Sequence, residues 1–139
     1  MTVESFSFEG AGIQNVYQNE KWLIAIKNWR EANDVENITR LEVHFKTDEQ
    51  FLLLAGRGVL IFTEDLDEES EIQAVSLEIG KVFNVPRGLW FNNVLSRDAK
   101  LVYVEDSDTK LAPDNSIYRD LTEAQIISAK DKVRAALRK

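Results

Sequence analysis

The chain contains no cysteine. That excludes disulfides, thiolate nucleophiles, iron–sulfur clusters and cysteine-based zinc sites in one step, and it fits a reducing compartment. No stretch approaches the roughly 18 consecutive apolar residues of a membrane span. Met1 to Gly10 lacks the basic start and apolar run of a signal peptide. The expectation is a cytoplasmic protein with no membrane partner. Positive charge is in deficit: 17 Lys and Arg stand against 24 Asp and Glu, a net charge of −7, so nucleic acid is not an expected partner. Much of the acid lies in Glu64 to Glu71 (EDLDEESE). Its spacing is not that of a calcium loop, and it reads as a solvated connection.

What is present is a chain of 139 residues with an apolar fraction of 44%, enough for one domain with one core. Short alternating segments dominate. Trp22, Ile24 and Ile26 share one face of Lys21–Lys27, opposite Leu23, Ala25 and Lys27; Leu41, Val43 and Phe45 oppose Glu42 and His44. Phe51–Leu54 and Val59–Thr63 flank Ala55-Gly56-Arg57-Gly58 and read as a β-hairpin. Val75–Ile79, Val82–Val85, Leu89–Leu95 and Leu101–Glu105 complete the set. Glu4–Glu9 alternates and is a further strand candidate, whereas Asp106–Tyr118 reads as an irregular connection. Closely spaced strands joined by Gly, Pro, Asn and Asp turns predict a sandwich or barrel, and the lack of strand–helix–strand alternation disfavours a parallel α/β sheet.

The C-terminus changes period. Thr122 and Gln125 have capping-box spacing. Ile126, Ile127, Ala129, Val133, Ala136 and Leu137 follow as a helical apolar stripe, with basic residues concentrated toward the end. A helix over about 122–138 is expected to pack on the barrel (about 20–106) or on a partner subunit, all within one domain, 1–139.

Two segments carry a family resemblance. Glu42 to Gly56 (EVHFKTDEQFLLLAG) has the skeleton Glu42-x-His44, four residues, Glu49, six residues, Gly56. It resembles the first cupin motif, H-x-H, three or four residues, E, six residues, G. Gly80 to Phe91 (GKVFNVPRGLWF) matches the second motif, G, five residues, P-x-G-x-x-H, at Gly80, Pro86 and Gly88. The resemblance implies an all-β fold: a double-stranded β-helix, or jelly-roll barrel, with a C-terminal α-helix.

In that family, histidines and a glutamate of the two motifs hold a divalent metal. Here Glu42 occupies the first histidine position and Phe91 the last; His44, the only histidine in the chain, and Glu49 are in place. The resemblance therefore puts catalysis at His44 and Glu49. A metal, if one is bound, would sit on His44, Glu49 and Glu42, and the candidates are Mn, Fe, Ni or Zn. Arg40, Glu42, Phe91, Asn93, Trp22 and Tyr103 are the expected ligand-binding residues, with Arg40 suited to a carboxylate. Trp29 and Trp90 are further candidate aromatic walls.

Three functional readings stay open. The first is a small-molecule-binding module or metal-independent catalyst with no cofactor. The second is a metal-dependent lyase, isomerase or hydrolase acting on a small polar metabolite. The third is a protein-interaction scaffold. The tail from Glu105 resembles uncharacterised and ureidoglycolate-lyase-like cupins. The family habit of pairing implies a homodimer.

Overall fold

A computed structural model describes residues 1–109 and 115–138. Among the described residues, ten strands form two five-stranded antiparallel sheets. Chain order is β1 (Ile13–Gln18), β2 (Trp22–Asn28), β3 (Arg40–His44), β4 (Glu49–Ala55), β5 (Gly58–Thr63), β6 (Gln73–Ser76), β7 (Val82–Val85), β8 (Trp90–Leu95), β9 (Lys100–Asp106) and β10 (Ser116–Asp120). One sheet has the order β1-β2-β9-β4-β7 and the other β10-β3-β8-β5-β6. From β2 to β10 the chain changes sheets at every step except β5 to β6, which is the double-stranded β-helix, and α1 (Glu123–Leu137) follows the last strand. Among the described residues no helix is long and apolar enough to cross a membrane.

Two apolar layers result from strand alternation. Leu23, Ala25, Phe51, Leu53, Leu60, Phe91, Leu95 and Leu101 fill the space between the sheets. Leu41, Val43, Val59, Ile61, Trp90 and Val94 project from the outer face of the second sheet and meet Ala129 and Val133 of α1. This second layer explains β3. Its apolar residues, Leu41 and Val43, face the helix, so Glu42 and His44 are left to face the barrel interior. A polar interior on that strand is therefore compatible with a well-buried apolar one.

The helix begins where the capping box places it. The Thr122 hydroxyl accepts from Gln125 N–H, and the Gln125 side chain accepts from Thr122 N–H. Gln125 also donates to the carbonyls of Asp67 and Ser70, which ties the acidic loop to the helix start. Ile127 departs from the expected stripe: it is 58% exposed, because the buried line runs through Gln125, Ala129 and Val133.

The expected hairpin between Phe51–Leu54 and Val59–Thr63 is not formed. β4 pairs with β7 and β9, while β5 pairs with β6 and β8. Gly56 takes φ +70°, and a Cβ there would lie 2.6 Å from the backbone of Ala99. The chain thus turns tightly under Ala99 and crosses to the other sheet. Glu4–Glu9 forms no strand; the Phe8 carbonyl instead accepts from Asn28 Nδ2 and Lys100 Nζ. The expected irregular connection Asp106–Tyr118 becomes strand from Ser116 onward, and its residues 110–114 lie outside the described residues.

Candidate functional site

Register builds the site. His44 at the end of β3 stands opposite Ser116 of β10. Glu49, at the start of β4 in the other sheet, stands opposite Glu105 of β9. The short 45–48 connection brings His44 and Glu49 face to face across the barrel. His44 Nε2 lies 3.0 Å from Glu49 Oε1 and 3.9 Å from Glu105 Oε2, and its Nδ1 lies 2.6 Å from Ser116 Oγ. All three are buried: His44 is 7%, Glu49 5% and Glu105 4% exposed.

The hydrogen bonds limit the proton arrangements of the pair. An ionised Glu49 only accepts, so Nε2 carries a hydrogen. Nδ1 then either accepts from the Ser116 hydroxyl, with a neutral ring, or donates to it, with an imidazolium. In the second case Ser116 directs its own hydrogen to the Thr109 carbonyl, 3.3 Å away. The Ser116 hydroxyl can therefore partner Nδ1 as donor or as acceptor.

These groups lie at the base of a cavity of about 510 Å³, in the usual range for small-molecule sites. Its walls also include Lys27, Arg30, Asn33, Arg40, Glu42, Asn93, Tyr103 and Tyr118. Burial is the main influence on Glu42 and pushes its carboxyl up, with His44 and Lys27 opposing it. The Tyr103 phenol is pushed far up, first by burial and then by Glu105 and Glu49, so it stays a hydrogen-bond donor. Tyr118 is also raised, chiefly by the negative charge of Glu42.

Of the residues singled out from the sequence, His44, Glu49, Glu42, Arg40, Asn93 and Tyr103 line this cavity. Two do not. Trp22 is 43% exposed, because the inward parity of β2 belongs to Leu23, Ala25 and Lys27. Phe91 points inward but is 1% exposed, sealed beneath the cavity against His44 and Phe51 at ring-centroid distances of 5.6 and 5.9 Å. Trp90 belongs to the layer under the helix, and Trp29 packs half-buried beneath Arg97. The sequence reading missed Glu105, Arg30, Asn33 and Ser116.

A divalent ion is implied by the motif resemblance, and the side chains present fit one. One donor atom each from His44, Glu49 and Glu105 lie within 4.8 Å of one another. An imidazole with two carboxylates suits Mn²⁺ or Fe²⁺. Glu105, rather than the expected Glu42, is the third member. Phe91 offers no donor at the remaining motif position.

No protein-family model matches the sequence, and no curated protein matches it significantly. Similar solved structures are found by shape. A cupin-2 domain protein from Shewanella frigidimarina aligns with a TM-score of 0.53 at 15% identity, covering 71% of this chain and 84% of its own. An RmlC-like cupin with a double-stranded β-helix from Methanocaldococcus jannaschii gives 0.55 at 11% identity, covering 80% and 96%. Streptomyces PAC13, a single-substitution variant with uridine, also gives 0.55 at 11% identity, covering 90% and 98%. The fold of this chain is the cupin fold, as the two motifs led one to expect.

Proposed function

We propose that this protein binds a small polar molecule in its barrel cavity and acts on it by acid–base chemistry at His44 and Glu49. The observation that carries this reading is the 3.0 Å contact of His44 Nε2 with Glu49 Oε1, with Glu105 Oε2 at 3.9 Å, at the base of a 510 Å³ cavity. A carboxylate in that position takes a proton from a ligand that approaches along the cavity, and His44 stabilises the charge that develops beside it. Tyr103 donates a hydrogen bond from the wall. The Ser116 contact holds the His44 ring in plane during proton transfer.

A second reading rests on the clustering of the three donors. His44, Glu49 and Glu105 would hold a divalent ion, and a bound ion would supply Lewis-acid polarisation of a ligand oxygen. Glu42 and Tyr103 would then contact the ligand from the cavity wall in the same way.

Both readings are tested by a thermal-shift screen of a polar metabolite library on wild-type protein and His44→Ala, each chelated and then supplied with Mn²⁺ or Fe²⁺. Stabilisation of the wild type alone supports the cavity reading, and its dependence on the ion separates the two. Equal stabilisation of both proteins overturns the site.

A further inference from the structure

The charges around the cavity are unevenly placed: three carboxylates outnumber the one buried ammonium, Lys27, in its deeper part, and two guanidinium groups stand at its rim. Glu49 and Glu105 are buried at its base, with half-buried Glu42 on the wall above. Arg30 and Arg40 line the same cavity and are exposed at its mouth. Each arginine is held in place by one contact. Arg30 Nε donates to Asn33 Oδ1 at 3.2 Å, and buried Asn33 is itself fixed by donating to Asn93 Oδ1 at 3.1 Å and to the Asn93 carbonyl at 3.2 Å. The Arg40 guanidinium lies 3.8 Å over the Tyr118 ring, and the Arg40 carbonyl accepts from Asn92 Nδ2. Among the described residues, no ion pair within 4 Å joins either arginine to a carboxylate, and Arg40 acts on Glu42 only from a distance.

Orientation without a charged acceptor is what an anion site looks like before its ligand arrives. A guanidinium offers five N–H donors; Arg30 commits one and Arg40 presents its face to a ring. A buried amide pair that fixes an exposed arginine lowers the ordering cost of binding at that spot. The base of the cavity asks for the opposite chemistry. Glu42, Glu49 and Glu105 are hydrogen-bond acceptors whose negative charge favours donors and disfavours an anion beside them.

We propose that the ligand is polarised along its length: an anionic head, carboxylate or phosphate, rests on Arg30 and Arg40 at the mouth, and hydroxyl or amino groups reach down to Glu42, Glu49 and Glu105. This deepens the cavity reading above and rests on it. It assigns Arg30 and Arg40 to specificity and makes Asn33 the residue that positions Arg30.

Isothermal titration with matched probes tests it. D-gluconate and glucose 6-phosphate carry an anionic head with hydroxyls; glucitol and uridine carry hydroxyls without the anion; hexanoate carries the anion without hydroxyls. At least one of the two charged polyols should bind at millimolar concentration or better, and which one does so separates a carboxylate head from a phosphate head. The neutral probes and hexanoate should bind at least tenfold more weakly. Arg30→Gln and Arg40→Gln should each weaken the charged probe at least tenfold without changing the circular dichroism spectrum. Asn33→Ala should weaken it in the wild-type background and not in Arg30→Gln. Glucitol or uridine binding as tightly as the charged probes, or arginine variants within twofold of wild type, would overturn the inference. So would no binding of either charged probe. The metabolite screen on wild type and His44→Ala judges the broader cavity reading independently of these results.

Discussion

Glu49 and Glu105 face each other directly across the β4–β9 ladder, both buried, and both turn toward Nε2 of His44. Like charges in direct cross-strand register are destabilising in an ordinary sheet. Here the imidazole of His44 lies against both.

The first expectation follows from that pairing. Glu105→Gln should impair ligand binding or turnover about as much as Glu49→Gln, at least tenfold each, although only Glu49 belongs to the sequence motif. Ligand titration of both variants, with circular dichroism as the fold control, checks it. A Glu105→Gln protein with wild-type affinity would remove Glu105 from the site.

Glu42 gives a pH-dependent stability effect of defined sign. Its folded carboxyl is raised above 4.5 by burial, so the fold disfavours the ionised form. The resulting penalty is absent below about pH 4.5 and grows as pH rises through the higher folded value. Glu42→Gln should therefore raise Tm at pH 7, and the gain should disappear on acidification below that point. The same variant should lower the Tyr118 pKa, because the charge of Glu42 is the first cause of its elevation. Thermal melts across pH and ultraviolet titration of the phenol read the two effects.

Phe91→His exchanges packing for a donor. Loss of the ring from its contacts with Phe51 and His44 should cost about 3 kcal/mol, in the range for large aromatic deletions in a core. The new imidazole would stand beside His44, Glu49 and Glu105. Added Mn²⁺ should raise the Tm of the variant more than that of the wild type, by mass action on the folded state. An equal response of the two proteins would mean that the added side chain does not reach the donor cluster.

The two motif glycines should differ in their sensitivity. Both have positive φ, +70° at Gly56 and +86° at Gly88. At Gly88 an added Cβ meets nothing within 4 Å, so Gly88→Ala should cost only the backbone term, about 1–2 kcal/mol. At Gly56 it would meet the Ala99 backbone at 2.6 Å. Gly56→Ala should cost clearly more, about 3 kcal/mol or above, through overpacking added to the backbone term. Chemical denaturation of the two variants measures the difference.

These residues also mark what could be read from sequence. Period-2 alternation located β2, β3, β8 and β9, because their faces meet different environments. It put His44 and Glu42 on one face from spacing alone. The same parity applied to Leu101–Glu105 places Glu105 on the face of Tyr103, so the missed carboxylate was legible in principle. Arg30 and Asn33 are not: they lie in the connection between β2 and β3, at the start and end of a single 3₁₀ turn (Glu31–Asn33) too short to carry a pattern. The false hairpin around Gly56 shares that origin. A Gly-rich turn signals reversal, but only packing against Ala99 sends the chain to the other sheet. Trp22 shares the parity of Ile24 and Ile26, so aromatic character alone does not place it in the barrel.

Under the proposed function, the cavity above His44, Glu49 and Glu105 holds a small polar ligand. Native mass spectrometry after incubation with a polar metabolite extract tests it most directly, with wild type and His44→Ala side by side. The expected result is a discrete small-molecule adduct on the wild type that His44→Ala loses. An adduct carried equally by both proteins, or none on the wild type, would contradict the claim.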